Sequence, residues 1–189
     1  MAAGWAVPYV LLDSLRRAQA DALALALGSS ECGHTIIAAD RLWRLREYDG
    51  ASDGPPVLIV AAPIKRPYIW DLAPTVSAVR YCLVRRLRPF LLEWLPAPRG
   101  CDAGLGAYAR VSLVDAVAQV TRRTGGARPF LMGHSLGGTF AAIYAASASA
   151  SLRGLVLLGA PLCFRPGSGR FRDAVLSIPA ASISSRVIS

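Results

Sequence analysis

Four continuous apolar runs constrain the fold of this 189-residue chain more than any other feature: VLIVAA (57–62), PFLLEWL (89–95), PFLMG (129–133) and LRGLVLLGAPL (152–162). A strand that is apolar on both faces has to be covered on both faces, which is the situation of a parallel sheet wrapped by crossover helices. The segments between the runs carry the helical half of that pattern. TVSAVRYCLVRRL (75–87) spaces Val76, Val79, Leu83, Val84 and Leu87 as one helix face; about 107–124 reads as a long helix; and a run of small and apolar residues follows Ser135. RLWRLREYDG (41–50) predicts an earlier strand, closed by Asp49-Gly50 and by the turn signal SDGPP. The expectation is an α/β fold: a mostly parallel sheet with helices on both faces.

The flanks differ from this core. Residues 9–27 place Leu11, Leu15, Ala18, Ala22 and Leu25 at helical spacing, with Gly28 as a stop. Beyond Phe164 the text turns to loop signals, one short helix around 170–177 and a serine-rich end. The chain therefore divides into an N-terminal amphipathic helical segment (1–40), a core (41–164) and an irregular tail (165–189), without an internal repeat.

Composition excludes several function classes. At 53% hydrophobic and 17% charged residues, with a mean hydropathy of +0.40, the chain is too apolar to remain disordered. The net charge of +9 invites a nucleic-acid reading, but Lys65 is the single lysine and the arginines come singly or in pairs such as Arg16-Arg17, Arg85-Arg86 and Arg122-Arg123. No basic tract results, and no nucleic-acid partner is expected. Cys32, Cys82, Cys101 and Cys163 form no CxxC pair, as expected of thiols in a reducing compartment. Cys32 and His34 offer two metal ligands with no third or fourth nearby, so no metal and no cofactor is expected. Charges at Asp13, Arg16, Arg17 and Asp21 interrupt the N-terminal apolar residues before any run reaches about 18. A cytoplasmic location is the expectation.

Chemistry concentrates at Gly133-His134-Ser135-Leu136-Gly137, a GxSxG pentapeptide with an apolar strand before it and a small-residue helix after it. A strand that must reverse into a helix within a few residues holds the serine in a strained conformation, and the flanking glycines Gly133 and Gly137 relieve the crowding. The bend lifts the Ser135 hydroxyl above the sheet and aims the first helical N–H groups at the same spot. Leu136 is the first expected oxyanion donor. The second comes from the loop after VLIVAA; Pro63 has no N–H, which makes Ile64 the candidate and Lys65 the next.

APIKRPYIWDLAPTVSAVRYCLVRRLRPFLLEW, FLMGHSLGGTFAAIYAA and LVLLGAPLCF together resemble the poly(3-hydroxyalkanoate) synthase-like branch of the α/β-hydrolases, over about Leu42 to Leu162. The resemblance implies a proline-containing oxyanion-side loop, an aromatic-Ile-x-Asp-Leu segment (Tyr68 to Leu72), and a nucleophile elbow followed by its next strand. Two departures matter. Synthases of this branch usually carry cysteine where this chain has Ser135, and asparagine where it has Lys65. Serine favours ester or thioester hydrolysis over polymer growth, since chain growth depends on a thiol that exchanges thioesters readily.

The resemblance also implies an acid and then a histidine after the nucleophile. Only Asp173 follows as an acid, and His34 and His134 are the only histidines. His134 sits inside the bend, where its side chain should leave in another direction; His34 precedes the sheet; Asp71 and Asp115 read as helix-capping or solvated. Without a base the serine is a poor nucleophile. The expectation is a sheet that stops after the strand following the nucleophile helix, leaving one edge unpaired, with the acid and histidine encoded beyond Ser189 and the fragment weak or inactive. The function expected is acyl transfer from a small-molecule or polymeric ester or thioester; the alternative is a non-catalytic module that binds a partner, a second copy as a homodimer, or a hydrophobic polymer or membrane surface.

Overall fold

Residue by residue, the apolar runs alternate between two cores. In the computed structural model, which describes residues 31–50, 53–64, 66–97, 103–165, 167–170 and 173, strand β3 (Pro56–Val60) sends Leu58 and Val60 to one side of the sheet and Val57 and Ile59 to the other. Strand β6 (Arg88–Trp94) divides likewise, with Phe90 and Leu92 on the first side and Leu91 on the second. Leu58, Ile59, Val60, Phe90, Leu91 and Leu92 are all at 0% exposure, so both faces are covered, as the unbroken apolar runs predict.

Among the described residues six strands form the main sheet. These are β1 (His34–Ala39), β2 (Trp43–Tyr48), β3, β6, β7 (Phe130–His134) and β8 (Gly154–Leu158), in the spatial order β1-β2-β6-β3-β7-β8. The pairs β6–β3, β3–β7 and β7–β8 are parallel, while β1–β2 and β2–β6 are antiparallel. The α/β class and mostly parallel sheet expected from the sequence are present. Within the described residues β8 forms one edge of this sheet, and Leu155, Val156 and Leu158 on it are exposed.

Helix α1 (Ala78–Val84) packs Val79 into the second core together with Trp70. Helices α2 (Leu113–Arg123) and α3 (Leu136–Ala148) close the first core through Leu113, Ala116, Val117, Val120, Phe140, Ala141 and Tyr144. The 107–124 helix is realised in two parts, since Ala107–Ser112 is wound as a π-helix before α2 begins. The 75–87 helix is shorter than its periodicity suggests. Val76 and Ser77 form strand β5, paired with β4 (Asp71–Ala73), and Ser77 then caps α1 by accepting from the Arg80 N–H at 2.8 Å.

One boundary is corrected. The core was expected to begin at 41, but His34–Ala39 is strand β1, paired with β2 from His34↔Tyr48 to Ala39↔Arg44, so the sheet starts inside the segment assigned to 1–40. HTIIAA is too short to separate from a helix edge by periodicity alone. The helix expected at 9–27 lies outside the described residues, as do Lys65, Cys101 and nearly all of the tail after 170. Among the described residues no helix is long and apolar enough to cross a membrane.

Charged side chains fix the register of the antiparallel half. Arg44 and Arg46 on β2 both donate to Glu93 on β6, at 2.6 and 2.7 Å, and Glu47 accepts from Arg88 and from Arg123 of α2. Burial alone would push the Glu93 and Glu47 carboxyls up. The guanidinium hydrogen bonds outweigh it and hold both below the usual carboxylate range.

Candidate active site

β7 ends against the first turn of α3, and Ser135 is the residue between them. Its backbone stands at φ 53° and ψ −129°, and among the described residues only Arg86 is a second non-glycine residue with positive φ. That region is nearly reserved for glycine, so a serine here is strained and is held by its surroundings. The Ser135 N–H donates to the Leu158 carbonyl at 3.0 Å, and the Ser135 carbonyl accepts from the Gly138 and Thr139 N–H groups at 2.9 and 3.2 Å. Thr139 Oγ1 in turn donates to the Pro161 carbonyl at 2.8 Å, tying the loop after β8 to the same helix.

The glycines are steric necessities. A Cβ on Gly133 would lie 2.5 Å from Gly138 Cα and 2.8 Å from the Gly137 carbonyl oxygen. One on Gly137 would meet the Val60 carbonyl oxygen and lie 2.5 Å from the Ala61 carbonyl oxygen. Gly138, which the pentapeptide does not include, is as crowded, with Ala160 Cβ 2.6 Å from the position of its missing methyl. The elbow is thus pressed onto the end of β3, and it brings the start of α3 to the loop that carries Pro63 and Ile64.

Ser135 and Leu136 are half-buried, and Leu136 opens α3, where the first N–H groups have no partner inside the helix. Ile64 is 73% exposed in the turn after β3. The structure therefore places Ser135, Leu136, Gly133, Gly137 and Ile64 at one end of the sheet, at the C-terminal ends of the parallel strands β3 and β7, where α/β folds bind ligands.

Neither histidine joins them as a base. His134 follows Met132 in the alternation of β7 onto the second core, on the face away from α3. Its ring meets Trp70 edge-on at 6.1 Å, and its Nδ1 is buried with no partner among the described residues. His34 lies on β1, the edge strand among the described residues opposite β8, with Nδ1 3.2 Å from the Cys32 carbonyl oxygen and the ring 5.4 Å from Tyr48. Among the described residues, no side chain is hydrogen-bonded to the Ser135 hydroxyl.

Asp115 is exposed in the first turn of α2, as a helix-solvating acid should be. Asp71 is not solvated: it is 2% exposed and accepts from the Cys32 N–H and the Ser77 hydroxyl. It caps α1 indirectly, by orienting the Ser77 side chain that does. Cys32 is turned to this carboxylate as well, its Sγ 3.5 Å from Asp71 Oδ1, so the cysteine and histidine considered as metal ligands have separate hydrogen-bond partners. Burial, followed by the hydrogen bond to Asp71, pushes the Cys32 thiol up.

Trp94 was not singled out in the sequence. Its indole N–H donates to the Ala61 carbonyl at 2.7 Å, at the root of the Ile64 loop. The one signal was its place at the end of PFLLEWL, where a half-buried tryptophan needs an acceptor for its N–H.

Comparison with known proteins agrees with this architecture. The alpha/beta hydrolase fold family matches residues 94–176. A poly(3-hydroxyalkanoate) polymerase subunit PhaC from Haloferax mediterranei is 31% identical over 138 residues, covering 71% of this chain and 28% of that protein. Poly(3-hydroxyalkanoate) polymerase 2 from Ectopseudomonas oleovorans is 32% identical over 145 residues, 70% of this chain and 26% of that protein. Among solved structures, an epoxide hydrolase from Vigna radiata superposes with a TM-score of 0.53 at 19% identity, covering 80% of this chain and 45% of that one. The chain thus spans about a quarter of the length of the two polymerases, 28% and 26%. Elbow, sheet order and sequence similarity converge: the chain has the α/β-hydrolase fold and is a distant homologue, over much of its length, of poly(3-hydroxyalkanoate) polymerases.

Proposed function

We propose that the site performs acyl transfer with Ser135 as nucleophile, taking an ester or thioester as donor and releasing the acyl group to water. The observation that carries this reading is the Ser135 backbone, at φ 53° and ψ −129° between a strand and a helix N-terminus. Strained non-glycine residues held by their surroundings cluster at functional sites, and the Ser135 side chain makes no capping hydrogen bond to α3 that would give it a structural use. Ser135 Oγ attacks the carbonyl carbon, the new C–O bond forms, and the oxygen that gains charge meets the N–H groups of Leu136 and Ile64. Collapse of the tetrahedral species expels the alcohol or thiol, and water then cleaves the acyl-serine. Among the described residues no side chain is placed to take the hydroxyl proton, since His34 lies on β1 and His134 turns toward Trp70, so the proton passes to a base from solvent.

The test supplies that base. Incubation with a fluorophosphonate probe and imidazole should place the adduct on Ser135, with fluoride leaving and the proton passing to imidazole, and S135A should abolish it. An adduct on other serines only, or none with imidazole present, would sink the assignment. A second reading, a non-catalytic binding module, rests on the apolar edge strand β8. It predicts that S135A leaves every measurable property of the chain unchanged.

A further inference from the structure

The loop that carries Ile64 cannot place an N–H by itself. Pro63 contributes no donor, Ile64 is 73% exposed, and the peptide in front of them has to be held from elsewhere. The hold comes from β6. Trp94 Nε1–H donates to the Ala61 carbonyl at 2.7 Å, and this is the same carbonyl oxygen that a Cβ on Gly137 would approach to 2.5 Å. The Ala61 peptide is therefore clamped between the indole and the first turn of α3.

The indole is itself fixed by rings from two other elements. Phe140 of α3 meets it edge-on with centroids 5.8 Å apart at 88°, and Tyr108 of the π-helix meets it at 5.0 Å and 72°. Phe140 and Tyr108 stack on each other at 5.5 Å and 15°. One side chain on β6 thus joins the two halves of the oxyanion site: through its N–H the loop bearing Ile64, and through its ring the helix whose first N–H belongs to Leu136.

We propose that Trp94 is a positioning residue of the oxyanion site, setting the Ile64 amide relative to the Leu136 amide. This rests on the acyl-transfer reading of Ser135. Preorganised donors are worth most when they need no rearrangement as charge develops, so a loop freed to rotate costs rate without loss of the fold.

The experiment uses the full chain carrying S135C, whose thiol reacts without a dedicated base, with and without W94F. W94F keeps an aromatic ring against Phe140 and Tyr108 and removes the N–H. Two reagents are applied to each protein and adducts are read peptide by peptide. With p-nitrophenyl acetate the thiolate adds to the carbonyl, an oxyanion forms, and p-nitrophenolate leaves; with iodoacetamide the thiolate displaces iodide and no oxyanion develops. The introduced thiol should be acetylated about tenfold or more faster than the exposed Cys163, W94F should slow that acetylation about tenfold, and alkylation of the same thiol should change less than about twofold. Acetylation unaffected by W94F, or acetylation and alkylation falling together, would overturn the role of Trp94. Acetylation at position 135 no faster than at Cys163 would instead overturn the acyl-transfer reading beneath it.

Discussion

Replacing Gly137 by alanine tests whether the elbow is pressed against β3 as tightly as described. The added Cβ would stand 2.5 Å from the Ala61 carbonyl oxygen and 2.7 Å from its carbon, where real contacts stay above 3.0 Å, so the gap must widen by at least 0.5 Å. No side chain can yield, because both atoms are backbone at the end of a central strand whose neighbours Val60 and Ala62 are at 0% exposure. Overpacking of this kind costs about 1–3 kcal/mol, and with only backbone to move the upper half applies, about 2–3 kcal/mol. For a chain of this size that lowers Tm by about 5–10 °C. Gly106 is the internal control. It already has helical backbone at φ −63° and ψ −36° and nothing within 4 Å of an added Cβ, so G106A should raise stability by about 1 kcal/mol. Thermal denaturation followed by circular dichroism on the two variants gives shifts of opposite sign. A G137A melt within 1 °C or so of the parent would refute the packing described for the elbow.

The strain at Ser135 and the charge network give two further tests. S135G should stabilise the chain by about 1 kcal/mol while removing the nucleophile, since glycine adopts φ 53°, ψ −129° without penalty; a neutral or destabilising effect in urea titration would show that the serine is not strained. E93Q should cost about 3 kcal/mol at neutral pH, because it leaves Arg46, whose side chain is only 8% exposed, without its main counter-charge. A carboxylate held below its unfolded value, about 4.3, contributes stability that is complete above that value and is lost as pH falls through the folded one. The parent-to-E93Q gap should therefore be constant from about pH 5 to 8 and shrink below about pH 4; a gap that persists undiminished at pH 2 would contradict the pairing.

Much of the sheet was legible because β3, β6, β7 and β8 are apolar on both faces or flanked by turn signals, and that information is local. Strand β1 was not, since HTIIAA owes its state to pairing with β2 and not to its own pattern. The capping role expected of Asp71 is present, through Ser77, but its burial was not legible for the same reason: a buried acid and a solvated one look alike until Cys32 and Ser77 are seen beside it. At the site, Ser135, Leu136 and the two glycines could be found in five consecutive residues. Gly138 and Trp94 could not, because what makes them matter is contact with Ala160 and Ala61, 22 and 33 positions away in the chain.

The strand order carries one more consequence. β6 lies between β2 and β3, two strands that both precede it in the chain and are separated only by residues 49–55. During synthesis β2 and β3 emerge together with a turn sequence between them, and a simple hairpin of the two is the nearest wrong answer. β3, PVLIV, has no acid to offer Arg44 and Arg46, so that hairpin would leave Arg44 unanswered and Arg46 with Glu31 alone, whereas β6 brings Glu93 to the pair. Two positive charges on one strand and one negative charge some fifty residues later hold the place open until the right neighbour arrives.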